Sequence, residues 1–219
     1  MNTTKIIRHF LLCVFFLGLC LVQSAEAALK VVATTTMVAD FVKNVGGPRV
    51  KVDCLMGPGV DPHLYKAKAS DLSKLKKADV IFYSGLHLEG KMQEVFHKMS
   101  QGGHEQAVVA VTGAMAKTSL LKPPAFAGNY DPHVWFDVKL WSQCIGPVQN
   151  ALTQADPKGA ATYAANAAEL QKSLNRLDEW ARQHCAKLPK EKRILVTSHD
   201  AFNYFGRAYD FQVVGLQGI

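Results

Sequence analysis

Residues 158–188 read KGAATYAANAAELQKSLNRLDEWARQHCAKL, and this stretch decides the architecture that we predict for the chain. Asp156 and Pro157 precede it as an N-cap and a first-turn proline. One helix over residues 158–188 would be about 45 Å long at the rise of an α-helix, more than one small lobe requires. We therefore predict a stiff rod that joins two lobes. Its apolar or small residues recur at alternating steps of four and three, the period of one helix face: Tyr163, Ala167, Leu170, Leu174, Leu177 and Ala181.

The sequence before this helix alternates between short apolar runs and amphipathic stretches. The apolar runs predict strands at residues 29–34, 50–55, 80–84 and 108–111. The amphipathic stretches predict helices at residues 37–45, 67–76, 91–99 and 141–152. Residues 112–130 contain Pro123, Pro124 and Gly128, show no clear period and predict a loop. Strands and helices in alternation predict a parallel sheet with helices on its faces.

The alternation restarts after the long helix, with a strand at residues 194–197, a helix at 201–208 and a strand at 211–215. Two parallel strands and one helix cannot cover both faces of a sheet, as parallel sheets normally require. The prediction is an α/β fold of two parallel-sheet lobes joined by one long helix, with the second lobe incomplete. We expect a fragment or a shortened protein, divided into a signal peptide (1–27), an N-terminal lobe (28–152), a linking helix (153–189) and the start of a C-terminal lobe (190–219).

The first 27 residues have the three parts of a secretory signal peptide. Lys5 and Arg8 make a basic start, an apolar stretch follows at residues 10–22, and Ala25-Glu26-Ala27 is a cleavage site. Lipid attachment at Cys20 is less favoured, because such sites want a small residue in front of the cysteine and Leu19 is large. We therefore predict a periplasmic protein, with the lipid-anchored form as the weaker alternative.

Composition excludes several classes of protein. The chain has 219 residues, 48% of them hydrophobic, and a net charge of +7, which is ordinary for a globular fold and excludes a disordered chain. The densest lysine clusters are interrupted by Asp71 and lack interleaved aromatics, so they predict a solvated helix face and no nucleic-acid partner. After the signal peptide only Cys54, Cys144 and Cys185 remain, which excludes a disulfide framework.

A repeated tripeptide marks the candidate site. Asp-Pro-His occurs at residues 61–63 and again at 131–133, and each proline stiffens the loop that carries the histidine. The first copy follows the carboxyl end of a predicted strand, the edge where open α/β sheets bind ligands. His199 holds the corresponding place after the first strand of the second lobe. His63, His133 and His199 are thus candidates for one site assembled between the lobes.

Three imidazoles suit a divalent transition metal. Neutral imidazole favours Zn²⁺, and Mn²⁺ is accepted where carboxylate oxygens complete the ligand set. Asp61, Asp131 and Asp200 each neighbour one of the histidines and are candidates for the outer partners that orient metal-bound imidazoles. From the residues alone, both a three-histidine metal site and three hydrogen-bonded structural histidines remain open.

Four motifs in a fixed order resemble a known family: MGPGVDPHLY at 56–65, YSGLHLE at 83–89, DPHVWFD at 131–137 and SHDAF at 198–202. They are similar to the zinc/manganese solute-binding proteins of ABC importers, the TroA-like family. The resemblance implies a metal carried in the cleft between two lobes, delivery to an ABC permease in the inner membrane, and a monomer. It places the histidine ligands on His63, His133 and His199, and the fourth ligand, a carboxylate, beyond residue 219.

The metal and the class of protein leave alternatives. Zinc-dedicated members often carry a loop rich in histidine and acidic residues before the second ligand motif, whereas residues 112–130 contain neither type. The resemblance therefore favours Mn²⁺ or a mixture of Mn²⁺ and Zn²⁺, and a protein that is not an enzyme. The competing hypotheses are a cell-surface adhesion or interaction protein and a three-histidine zinc hydrolase, in which water would occupy the fourth position.

Overall fold

A computed structural model describes residues 27–101 and 107–217 of the chain. The predicted signal peptide lies outside the described residues except for Ala27, and so does the alternative lipid site at Cys20. Within the described part, no helix is both long enough and apolar enough to span a bilayer. The three cysteines of this part carry free thiols, and Cys144 is the buried one.

The first lobe is built on a four-stranded parallel sheet. Its strands are β1 (Leu29–Ala33), β2 (Val50–Cys54), β3 (Val80–Tyr83) and β4 (Ala107–Ala110), in the order β2-β1-β3-β4. The connecting helices are α1 (Thr36–Gly46), α2 (Ala69–Lys77) and α3 (Gln93–Gln101). These elements lie within one or two residues of the predicted ones, and the predicted parallel α/β sheet is confirmed.

Alternation along the strands places a core on each face of this sheet. Val31, Ala33 and Phe82 point to one face and pack in a core with α1 and with the helices that follow residue 137. Val32 and Ile81 point to the other face, in a core with residues of α2 and α3. Because both faces are covered at β3, its sequence VIFY is a continuous apolar run, whereas the edge strand β2, with the sequence VKVDC, alternates between half-buried and exposed residues.

The helix predicted at 141–152 is interrupted. It consists of α4 (Val138–Trp141), a 3₁₀ turn (Ser142–Cys144) and α5 (Ile145–Ala155). Pro147 in the first turn of α5 has no N–H to donate to the preceding turn, so the α-helical hydrogen-bond ladder cannot run through this point unbroken. The apolar period survives the interruption, which is why the sequence reads as one helix.

The long helix α6 spans Ala160–Ala186, a 27-residue helix of about 40 Å. Within the segment predicted as a linking helix (153–189), residues 153–155 belong to α5 and Pro157–Gly159 form a 3₁₀ turn. Asp156 caps this turn by accepting the backbone N–H of Gly159, as its position predicts. The assignment of 153–189 as a linker between two domains stays a prediction.

The remaining elements form a second, two-stranded parallel sheet. Strands β5 (Ile194–His199) and β6 (Gln212–Gln217) pair in register, and α7 (Asn203–Tyr209) connects them. One face of this pair carries apolar side chains that are between 39% and 69% exposed: Ile194, Val196, Val214 and Leu216. The first sheet is covered by side chains on both faces, whereas the second sheet exposes one apolar face. This difference agrees with the predicted incomplete second lobe.

The start of α6 is tied to the first lobe by one carboxylate. Asp156 Oδ2 accepts hydrogen bonds from Arg49 Nε and from the hydroxyl of Tyr163, each at 2.7 Å. The Arg49 hydrogen bond is the largest cause that lowers the pKa of Asp156 from 3.8 to about 2. Because the folded-state pKa is the lower one, this stabilisation is present above pH 3.8 and is lost as the pH falls toward 2.

We expect Asp156→Asn to lower the free energy of unfolding by about 1.5–3 kcal/mol, because hydrogen bonds to charged groups contribute that much. Urea denaturation at pH 7 measures the loss, and the variant should lack the part of the pH dependence between pH 4 and 2 that Asp156 supplies. Glu169→Gln on α6 is the control, since its ion pairs with Lys172 and Arg176 are exposed and are worth under about 1 kcal/mol each. Equal losses in both variants would contradict the anchoring role.

Candidate metal centre

His63 lies in the irregular segment that follows β2. The carboxylate of Asp61 accepts the backbone N–H of His63 at 2.9 Å and so closes a tight turn around Pro62. Gly90, in a left-handed conformation at φ 41°, lies directly against the backbone carbonyl of His63, and any side chain at Gly90 would collide with that oxygen. The position of the first histidine therefore depends on the loop after β3.

His133 is the buried member of the set, with 2% of its surface exposed. Asp131 Oδ1 lies 2.7 Å from His133 Nδ1 and also accepts the backbone N–H of His133 at 2.9 Å. A carboxylate only accepts hydrogen bonds, so this contact favours the neutral tautomer that has its proton on Nδ1 and its lone pair on Nε2. This is the usual way in which a carboxylate orients an imidazole toward a metal.

His199 is the last residue of β5 and comes from the second sheet. Its backbone carbonyl accepts the hydroxyl of Thr197 at 2.8 Å. Its ring reaches across to the first lobe, where its Nε2 lies 3.1 Å from Nε2 of His133. The two sheets therefore meet at this imidazole.

The three predicted ligands converge on one point. His63, His133 and His199 form a group whose ligand atoms all lie within 4.8 Å of one another, and no carboxylate of the described residues belongs to it. Nε2 of His133 lies 3.2 Å from Nε2 of His63 and 3.1 Å from that of His199. Two nitrogens bound to one tetrahedral Zn²⁺ are about 3.3 Å apart, so the spacing suits a shared ion.

The electrostatics of the group also favour a cation. Burial lowers the pKa of His63, and the neighbouring imidazole of His133 lowers it further, so this ring is neutral at pH 7. Neutral rings present lone pairs, and nitrogen lone pairs directed at one point repel one another unless a cation lies between them. The arrangement therefore suits a divalent ion.

The group opens onto a cavity of about 340 Å³. Apart from the three histidines and Asp61, its walls are apolar: Met37, Pro62, Leu88, Trp135, Phe136 and Ala201. Mostly apolar walls lower the local dielectric, which strengthens an electrostatic interaction at the imidazoles. Asp61 lines the cavity, but it is not among the converging ligand atoms.

The three predicted outer carboxylates occupy different positions. Asp131 contacts the ring of its histidine, whereas Asp61 contacts only the backbone of His63. Asp200 accepts a hydrogen bond from Asn203 Nδ2 at 2.9 Å. The role of these carboxylates toward a bound metal stays a prediction.

Three buried or half-buried residues support the site and were not predicted from the sequence. The Tyr204 hydroxyl donates to the backbone oxygen of Asp131 at 2.9 Å and accepts the N–H of Leu121 at 3.0 Å. Asn203 donates to Asp131 Oδ2, and Glu89 organises the loop behind His63. The sequence predicts an ordinary apolar helix position for Tyr204. Its supporting role is visible only in the tertiary structure, where its hydroxyl is buried with the residue.

Comparison with known proteins identifies the family. The model of the ZnuA family, described as the zinc-uptake complex component A, periplasmic, matches residues 31–219. The chain belongs to this family. The predicted TroA-like relationship is thereby confirmed, and so is the predicted fold class.

Individual relatives of the ZnuA family support this assignment. The chain is 47% identical over 197 residues to the manganese-binding lipoprotein MntA of Bacillus subtilis, and 45% identical over 196 residues to the zinc-binding protein TroA of Treponema pallidum. These matches cover 90% of the chain but only 63% and 62% of the two relatives. The structure of the periplasmic zinc-binding protein TroA from Treponema pallidum superposes with a TM-score of 0.83 at 46% identity, over 88% of this chain and 68% of that one.

The names of these two relatives describe a manganese-binding lipoprotein and a zinc-binding protein. A third relative, at 34% identity, is the metal ABC transporter substrate-binding lipoprotein SloC of Streptococcus mutans. The chain spans a little over 60% of the length of the curated relatives that it matches. What the ZnuA-family relatives bind and deliver therefore enters below as a proposal for this chain.

Proposed function

We propose that the chain is the metal-binding component of an ABC importer. It captures Mn²⁺ or Zn²⁺ outside the cytoplasm with His63, His133 and His199, and it delivers the ion to a permease in the membrane. In this proposal it acts as a monomer in the periplasm, without a lipid anchor, without a nucleic-acid partner and without an enzymatic activity of its own. The metal is cargo that arrives and leaves, so the site needs affinity rather than an activated water.

The observation that carries the proposal is the convergence of three Nε2 atoms from three distant segments, with Asp131 on the ring of His133. The three rings come from two irregular segments and from the end of β5, and the Nε2 atoms of His63 and His199 lie 3.2 and 3.1 Å from that of His133. Polar ring nitrogens that lose water on burial need a partner. A shared divalent ion satisfies all three lone pairs at once. The family relationship supports the same ligand set.

We expect the 219-residue chain to bind Zn²⁺ at least tenfold more tightly than Mn²⁺. The converging group offers three imidazole nitrogens and no carboxylate, and Mn²⁺ depends on hard oxygen ligands and lies at the weak end of the divalent affinity series. Competition titrations of the chelator-treated protein against a metal-sensitive dye measure both dissociation constants. The absence of binding by either ion would refute the proposed function.

Tight Mn²⁺ binding would contradict the three-nitrogen ligand set. It would mean that a carboxylate moves into the coordination sphere, and Asp200→Asn and Asp131→Asn would show which one. The same preparation, loaded with Zn²⁺, tests the hydrolase alternative with an activated ester such as 4-nitrophenyl acetate, because a hydrolase needs a general base beside the metal-bound water in addition to an open fourth position. We expect no turnover above that of free Zn²⁺.

A further inference from the structure

Asn203 lies between two carboxylates at the edge of the metal centre. It is the first residue of α7, and its side-chain nitrogen lies 3.1 Å from Asp131 Oδ2 and 2.9 Å from Asp200 Oδ1. A side-chain amide carries two N–H donors on this nitrogen. Both donors are therefore used, one on each carboxylate.

The two carboxylates belong to the loops that carry two different histidines. Asp131 is completely buried, and its other oxygen holds the ring of His133. Asp200 directly follows His199 in the chain. A continuous series of hydrogen bonds thus runs from the His133 ring through Asp131 and Asn203 to the residue next to His199.

The position of Asp200 is restricted from its other side as well. A side chain at Gly215 would place its Cβ 2.5 Å from Cβ of Asp200, so Asp200 occupies the space above this glycine of β6. Asp200 is therefore held between the second sheet and the amide of Asn203. Movement of β6 or of the Asn203 side chain would therefore displace Asp200 and, with it, the neighbouring His199.

We propose that Asn203 is a positioning residue that sets the position of His199 relative to His133. The inference rests on the proposed metal binding and adds to it a residue that touches no metal. Two carboxylates brought close together repel one another, and the amide offsets this repulsion by donating one hydrogen bond to each. It also holds Asp131 in the orientation that leaves the Nε2 lone pair of His133 free for the ion.

Two substitutions test this role. Asn203→Ala removes both hydrogen bonds, and Asn203→Asp keeps the shape of the side chain but replaces the donors by a third carboxylate. We expect the dissociation constant for Zn²⁺ to rise about tenfold to 100-fold in Asn203→Ala, the range found when outer partners of metal ligands are removed. The increase should be larger in Asn203→Asp, because that variant adds repulsion. In both variants the absorption bands of bound Co²⁺ should shift, because they report the geometry of the ligands.

Asn166→Ala is the matched control. Asn166 Nδ2 donates to the backbone oxygen of Val45 at 3.0 Å and joins α6 to α1 within the first lobe. This variant loses a half-buried amide of the same kind, so its melting temperature without metal should fall, while its Zn²⁺ affinity and Co²⁺ spectrum should stay those of the wild type. A general loss of stability is thereby separated from a change at the site.

The outcomes distinguish this inference from the proposed function. A wild-type chain that binds no Zn²⁺ refutes the proposed function and the inference with it. A wild-type chain that binds Zn²⁺, together with Asn203 variants whose affinity and Co²⁺ spectrum are unchanged, refutes the inference alone. The inference is supported if the Asn203 variants show weakened Zn²⁺ affinity and a shifted Co²⁺ spectrum and Asn166→Ala shows neither change.

Discussion

Replacing His133 by alanine should abolish the rise in melting temperature that Zn²⁺ produces in the wild-type chain. A ligand that binds only the folded state stabilises it by about 2.7 kcal/mol at 100 times its dissociation constant. His133 is central to the proposed site, because its Nε2 lies within 3.2 Å of Nε2 of both other rings. Without it only the imidazoles of His63 and His199 remain as ligands, and two ligands should not hold the ion at that concentration.

The same substitution should lower the stability of the metal-free protein, because Asp131 stays buried after it loses the ring of His133. Thermal unfolding with and without Zn²⁺ separates the two effects. His63→Ala and His199→Ala should also lose most of the metal-induced rise, and they should lose less of the metal-free stability because both rings are only half-buried. His97→Ala is the control, since His97 is exposed and contacts Gln101. Loss of the metal effect in His97→Ala would mean that the wrong histidines have been chosen.

Replacing Glu89 by alanine should lower the free energy of unfolding by about 3–5 kcal/mol. Glu89 is fully buried, and its carboxylate accepts the Thr34 hydroxyl at 2.8 Å and the backbone N–H groups of Ser84 and Gly85. Alanine would leave all three buried donors without partners, at about 1–3 kcal/mol each. These bonds connect the end of β1 to the loop after β3, so the loop should lose its conformation.

The Glu89→Ala effect should reach the metal centre through Gly90, which lies against the backbone of His63. Zn²⁺ affinity should therefore fall together with stability, and urea denaturation and a Zn²⁺ titration of the same sample measure both. Burial raises the pKa of Glu89, so the site disfavours a charge. Glu89→Gln is neutral and keeps one acceptor oxygen, and it should cost less stability than Glu89→Ala. Glu94→Ala on the exposed face of α3 is the control and should stay within about 0.5 kcal/mol of the wild type. A loss in Glu89→Ala no larger than in Glu94→Ala would rule out the supporting role.

The helices and strands could be predicted because local patterns encode them. The apolar run at β1 and the steps of four and three in α6 are properties of neighbouring residues. Burial follows the predicted stripe at the start of α6, where Tyr163 and Ala167 are buried, whereas Leu177 farther along it is 47% exposed. Prediction was less accurate at α4 and α5, where Pro147 interrupts the backbone hydrogen bonds without interrupting the apolar period. Such a break comes from the missing backbone N–H of a proline, which the spacing of apolar residues does not reveal.

The sequence by itself determined the candidate ligands, because two Asp-Pro-His motifs and a histidine at the end of a strand are visible without coordinates. Only the tertiary structure decided which group each aspartate contacts. Asp131 contacts the imidazole of His133, Asp61 accepts a backbone N–H, and Asp200 accepts the side-chain amide of Asn203. Only the tertiary structure showed Asn203 and Glu89 as supports of the site, because their partners are up to 72 and 55 residues away in the chain. Contacts over such separations are set by how the sheets and helices pack, and no local period of the sequence records them.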